Sequence, residues 1–281
     1  MATKGTFTAL DPESKIFLEL KNQPPEWWKL FTYDPELYID IRKDNYINVY
    51  YYGSSVAKIE FKKDFIATTH QKYLGDNTPC KKNKKGNDIF KYIKIDLSTI
   101  DKNKISEIKR YIENDYLHLI DSEKVPENWI QGKLIKENFN YIDSEFQFNQ
   151  NSKIGKLRID LTELSNSVLS FVEIKRIFDG RLSKSESNTN TPEIIKQMKK
   201  YKEFIERYED EIKDYYKKLI EIKRNLGLIK VVNSDFTINK TPKLIIADTY
   251  TKITEERVNR IKEINQLLEQ KKIDYKIIKW K

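Results

Sequence analysis

The chain has 281 residues, 38% hydrophobic and 34% charged, with 17 Tyr, 13 Phe and four Trp whose large rings can build much of a core. Its net charge of +9 favours an anionic partner, nucleic acid being the simplest, and its one cysteine, Cys80, excludes an internal disulfide. No signal peptide and no apolar run of about 18 residues is evident, so the expectation is a soluble cytoplasmic protein that does not engage a membrane.

Pro12, Pro24, Pro25 and Pro35 break any long element in the first 35 residues, and Trp27-Trp28 is expected to anchor this arm on a core. Residues 37–42, 46–52 and 55–61 are predicted as an antiparallel meander, with Lys43-Asp44-Asn45 and Gly53-Ser54 as turns. Residues 89–96 are predicted as a fourth strand. Before them lies the run Lys81-Lys82-Asn83-Lys84-Lys85-Gly86, a solvated loop first and a phosphate contact second. Ile105, Ile108, Ile112, Tyr116 and Leu119 recur at helical spacing, which predicts a helix over 103–121. Pro126 ends the break that follows. The division is therefore a strand-rich domain, 1–125, a candidate for nucleic-acid recognition, and a second domain, 126–281.

The second domain opens with a predicted helix, 127–137, and a strand, 141–148. Two further strands, 156–161 and 169–177, are joined by the polar turn Ser165-Asn166-Ser167. Apolar residues alternate with charged ones on both, the pattern of half-buried strands. Residues two apart in a strand share a face, so Glu173 and Lys175 project together. A turn centred between Asn166 and Ser167 sets Asp160 opposite Glu173, with Cβ atoms roughly 5 Å apart. Two carboxylates that close repel unless a cation lies between them, and hard cations such as Mg²⁺ prefer oxygen ligands. A plain salt-bridged surface hairpin is the alternative. Asp143 and Glu145 compete for the role of Asp160, but only Asp160 is placed by a short turn. The tetrapeptide Glu221-Ile-Lys223-Arg224 repeats Glu173-Ile-Lys175-Arg176 within a helical pattern. Side chains two apart on a helix diverge, so this copy is set aside.

Asp179-Gly180 marks a turn and 183–191 a polar loop. Thr191-Pro192-Glu193 then opens a helix. Apolar residues from Ile194 to Leu226 alternate four and three apart, predicting one long helix over 192–226, on the order of 50 Å, stopped by Gly227. Its excess length must pack on the N-terminal domain or on a second copy of the chain, as a homodimer. A strand at 243–248, a helix at 255–270 and a strand at 275–280 complete the order and extend the sheet.

Ile159-Asp160, then Glu173-Ile174-Lys175 and a helix, resembles the PD-(D/E)xK nuclease superfamily, with Ile159 where the family has proline. Gln197-Met-Lys-Lys-Tyr201 resembles the Q-x-x-x-Y helix of its RecB-like branch. The resemblance covers about residues 126–250. It implies an α/β (α+β) restriction-endonuclease-like fold: a mixed sheet flanked by helices. It also implies Mg²⁺ or Mn²⁺ held by Asp160, Glu173 and the carbonyl of Ile174. Lys175 would orient a water or stabilise charge, and Gln197 and Tyr201 would position the substrate strand or the lysine. The helix at 127–137 often supplies another acid in this family; Glu127, Gln131 and Glu137 all stand open. Arg158 and Arg176 are the expected phosphate contacts. The implied activity is metal-dependent cutting of DNA ahead of RNA, as an endonuclease in restriction, repair or phage defence, by analogy. The alternatives are a nucleic-acid-binding or sensing protein that keeps the fold without catalysis, and a helical scaffold.

Overall fold

Pro24 and Pro25 separate two short helices, α1 (Lys15–Asn22) and α2 (Glu26–Tyr33), in a computed structural model that describes residues 10–148, 157–183, 191–230 and 235–280. The prolines lie between helices, with Pro25 at the N-cap position of α2, so they delimit structure that the sequence reading left irregular. Trp27 and Trp28 are both buried, Trp27 against Phe31, Phe65 and Trp28, as expected of an anchor.

The first sheet is antiparallel, with strands β1 (Tyr38–Arg42), β2 (Tyr46–Tyr51), β3 (Ser54–Phe61) and β4 (Phe65–His70). A small hairpin, β5 (Lys81–Lys82) and β6 (Asp88–Ile89), stands apart from it, and β7 (Tyr92–Ile95) closes the order β1-β2-β3-β4-β7. The expected meander is present, but β4 is an additional strand and the strand expected at 89–96 is the fifth in the sheet. Tyr52 and Gly53 form the β2–β3 turn, both with positive φ (44° and 77°), one residue earlier than predicted.

After α3 (Lys102–Ile120) and α4 (Glu127–Glu137) come β8 (Tyr141–Phe148), β9 (Leu157–Ser165) and β10 (Val168–Arg176). Helices α5 (Glu193–Arg207) and α6 (Glu209–Asn225) lead to the short β11 (Thr237–Ile238), then β12 (Lys243–Asp248), α7 (Glu255–Gln270) and β13 (Asp274–Lys279). The second sheet runs β13-β12-β10-β9-β8, with β11 beside β10. β12 is parallel to both β10 and β13, whereas β8, β9 and β10 are antiparallel neighbours. The architecture is mixed α and β.

The single helix expected over 192–226 is two. Tyr208 leaves helical geometry at φ −122°, ψ 30°, and α6 restarts with Glu209, Asp210 and Glu211 in its first turn. Acidic residues favour a helix N-terminus through the dipole, and an unbroken four–three apolar rhythm does not distinguish a straight helix from a bent one. The bend lets Phe204 and Tyr208 cover Phe148 while Tyr216 reaches Phe171. Gly227, at φ 70°, ends α6 as predicted.

The sheets share one hydrophobic core. Tyr52 at the β2–β3 turn stacks on Trp129 of α4, with centroids 4.4 Å apart and planes 6° apart. Gly132 makes this approach possible: a Cβ there would lie 2.4 Å from the Cα of Tyr52. The distal end of α6 packs toward the first sheet, where Lys223 donates to Asp40 of β1 at 2.9 Å and to the carbonyl of Ile142 at 2.6 Å.

Candidate active site

The site is built on the β9–β10 hairpin, and its turn sets the register. Asn166 and Ser167 both have positive φ (50° and 58°), giving the two-residue turn whose twist matches the strands it joins. Ladder pairs run from Ser165–Val168 to Leu161–Val172. The next positions along that register are Asp160 and Glu173, and there the strands are joined through a side chain. Asp160 Oδ2 accepts from the backbone N–H of Ile174 at 2.8 Å.

Half burial was expected of this hairpin; β10 is instead buried from Leu169 to Lys175, with Glu173 and Lys175 each only 2% exposed. The strand lies between β9 and β12, and helices cover the sheet, so its charged residues are core residues. Groups that deep must be paired. Lys175 Nζ donates to Glu173 Oε1 and, at 2.7 Å, to the carbonyl of Ile174. Gln197 of α5 donates to the same Oε1 at 2.7 Å, and the hydroxyl of Tyr201, one turn on, lies 2.6 Å from Oε2. Gln197 also donates to Tyr201 at 2.9 Å, and the Tyr201 hydroxyl contacts the carbonyl of Arg158. Burial and the neighbouring Glu173 push the Tyr201 phenol far up, which keeps it a neutral donor. The five residues named for catalysis therefore meet in one cluster, with Glu173, Lys175 and Tyr201 buried and Asp160 and Gln197 half-buried at its margin.

Burial and the charge of Glu173 push the Asp160 carboxyl up to about 7. Among the three candidates on α4, the geometry separates roles. Gln131 is buried and donates to the carbonyl of Asp160 at 2.6 Å. Glu127, at the first turn, faces Lys175 and Asp160; burial raises its carboxyl, and its buried Oε1 has no hydrogen-bond partner. The nearest cation to that oxygen is Arg181 at 3.8 Å. Glu137 is exposed and pairs with Lys133. Asp179 was expected only as part of the Asp179-Gly180 turn, yet with Arg181 it forms a two-pronged ion pair beside Glu127 and Lys175. No local pattern marks such a pair; it is visible only once the turn folds back.

The expected phosphate contacts differ from each other. Arg158 is 61% exposed at its side chain and pairs with Glu145. Arg176 lies over the ring of Phe178 at 4.8 Å, with Nη1 3.4 Å from the carbonyl of Lys124, so it braces the 121–126 connection. The polar loop read at 183–191 lies mostly outside the described residues. Asp143, the competitor of Asp160, belongs to a separate buried network with Arg42, Ser144 and Tyr216.

Among the described residues no three Asp, Glu, His or Cys side chains converge on one point. Asp160, Glu173 and the Ile174 carbonyl are the oxygen donors that could face a hard cation, with the unpartnered oxygen of Glu127 alongside. Mg²⁺ is commonly held by one or two carboxylates plus substrate oxygens and water, so these residues suit it. The ammonium of Lys175 already touches two of those donors, Glu173 Oε1 and the Ile174 carbonyl.

No family model, curated protein or solved structure matches the chain.

Proposed function

We propose that the chain is a metal-dependent phosphodiester hydrolase of the PD-(D/E)xK type, acting on DNA as an endonuclease. The observation that carries this reading is the meeting of Asp160, Glu173 and Lys175 on one hairpin with Gln197 and Tyr201 of the following helix. The order of helix, three antiparallel strands, the helical pair α5–α6 and, after the short β11, a strand parallel to β10 supports a restriction-endonuclease-like core.

Asp160, Glu173 and the Ile174 carbonyl would hold Mg²⁺ or Mn²⁺, which when bound lowers the pKa of a water and offsets phosphate charge. Lys175 is a compact charge on a four-carbon stem, held on Glu173 and the Ile174 carbonyl. Released from the Ile174 carbonyl, it can donate to an attacking water or to a phosphate oxygen. Gln197 and Tyr201 hold both oxygens of Glu173, fixing the carboxylate's plane. Gln131 holds the Asp160 main chain. Arg158 offers an exposed guanidinium for the phosphate backbone.

A second reading is a nucleic-acid-binding or sensing protein that retains the site without turnover. It is favoured by the Lys175 ammonium resting on two of the metal donors. Cleavage of linear, circular and single-stranded DNA with Mg²⁺, Mn²⁺ or EDTA separates the two. Metal-dependent cutting that falls about a hundredfold or more in Asp160→Ala and Lys175→Ala is the expected result. Parent-like rates in either variant would overturn the assignment. Metal-independent DNA binding with no cutting would support the sensing reading.

A further inference from the structure

The outer face of the first sheet is covered at one edge and open at the other. On β1, Asp40 and Arg42 are sealed beneath β8 and α6. At the far edge, His70 of β4 pairs with Tyr92 of β7, and their rings meet edge-on at 5.6 Å. Tyr92 is 61% exposed. The ring of Phe90 flanks the same histidine, with the ammonium of Lys72 4.6 Å above it. Lys94, two residues beyond Tyr92, shares its side of the strand.

The β5–β6 hairpin adjoining this edge carries Lys81, Lys82, Lys84 and Lys85, all exposed. Its base is pinned. The buried side chain of Gln71 donates to the carbonyl of Thr78 and accepts from the N–H of Lys91 at 2.9 Å, while Cys80 N–H bonds the carbonyl of Ile89 at 2.8 Å. A run read from sequence mainly as a solvated loop is thus an ordered projection. Residues 71–94 contain seven lysines against two aspartates, a surplus larger than half of the chain's +9.

We propose that this edge binds single-stranded DNA, with the hairpin lysines along the phosphates and the rings of Tyr92 and Phe90 against unpaired bases. The choice of DNA rests on the nuclease reading; the surface itself is argued from charge and ring placement. Paired bases hide their faces inside a duplex, whereas an unpaired strand offers them to exposed aromatic side chains. The edge is also tied to the helix that precedes the element carrying Glu127. Lys72 pairs with Asp115 of α3 at 3.4 Å, Gly75 packs against Tyr111 of the same helix, and α3 runs on through residues 121–126 to Glu127.

The test is binding of a fluorescent oligo-dT of about 20 nucleotides to the full chain in EDTA, read by anisotropy across a salt series. Replacing Lys81, Lys82, Lys84 and Lys85 by Ala should weaken binding about tenfold or more and flatten the salt dependence by about 2–3 in log–log slope. Tyr92→Ala should cost about tenfold with the slope unchanged. A charge-matched control, Lys202, Lys262, Lys271 and Lys276 to Ala, should bind within about twofold of the parent. Hairpin and control variants that bind alike would overturn the proposal, and so would a Tyr92→Ala protein that binds oligo-dT like the parent. Cleavage by the same proteins with Mn²⁺ keeps the two readings apart. Patch-dependent binding without cutting defeats only the nuclease reading; cutting with patch-independent binding defeats only this one.

Discussion

Two aspartates of the second sheet, Asp160 and Asp143, are both held at about 7, in each case by burial first and a neighbouring carboxylate second. Their surroundings give them different fates. Asp143 accepts from the N–H of Ser144 at 2.9 Å and the hydroxyl of Tyr216 at 3.1 Å, with Arg42 at 3.5 Å and Asp40 and Lys223 nearby. That network closes on itself. Asp160 faces Glu127, whose buried oxygen has no hydrogen-bond partner, so its cluster keeps an acceptor that the Asp143 network does not. The Asp143 shift has a sign that can be tested. A carboxyl raised in the folded chain favours folding below its unfolded value near 4, and that contribution is lost as pH rises through about 7. Asparagine cannot ionise and can still accept from Ser144. Asp143→Asn should therefore gain on the parent by about 2–3 kcal/mol between pH 5 and pH 8, read from urea midpoints. A difference independent of pH would refute the shift.

At the scale of elements, the β2–β3 turn packs directly on α4, the helix that carries Glu127. Gly132 lets Tyr52 lie flat on Trp129, and a side chain at 132 meets backbone rather than a flexible tip. Gly132→Ala is predicted to cost about 2–4 kcal/mol in chemical denaturation, because neither the helix nor the turn can yield locally. The opposite outcome, a small gain from improved helix propensity, would show that the turn moves freely on α4. The α5–α6 bend belongs to this scale as well. It divides the work of the helical pair: Gln197 and Tyr201 on α5 serve Glu173, while Tyr216 and Lys223 on α6 serve the interface with the first sheet.

For the whole molecule, the two sheets are held in register by a buried ion network as well as by apolar packing. Lys223 and Asp40 are both nearly inaccessible and come from positions 183 residues apart. Breaking a buried pair strands a charge, so Lys223→Met should cost about 3–5 kcal/mol, and Lys223→Met with Asp40→Asn should recover part of that loss. The recovery is checked by a double-mutant cycle in urea. Strict additivity would show that the pair is not coupled.

The sequence by itself determined the hairpin and what it presents. Turn chemistry at Asn166-Ser167 and the two-residue period of strands are local properties, so they set Asp160 against Glu173 and Lys175 before any tertiary contact is known. The spacing of Gln197 and Tyr201 on one face of a helix is local in the same sense. β4 was legible too, in Phe65-Ile66-Ala67, though it was not read. Only the tertiary structure decided the rest. Burial of β10 on both faces depends on which elements cover the sheet, and it makes Lys175 a core residue bonded to Glu173. That Glu127 lies beside Lys175 while Glu137 pairs with Lys133 in solvent depends on how α4 packs. Lys223, discarded from the sequence because helical neighbours diverge, proved to be a buried partner of Asp40. The physical reason is common to all three. Periodicity tells which side chains share a face, but burial, pairing and the charge a site must accommodate are set by what packs against that face from far along the chain.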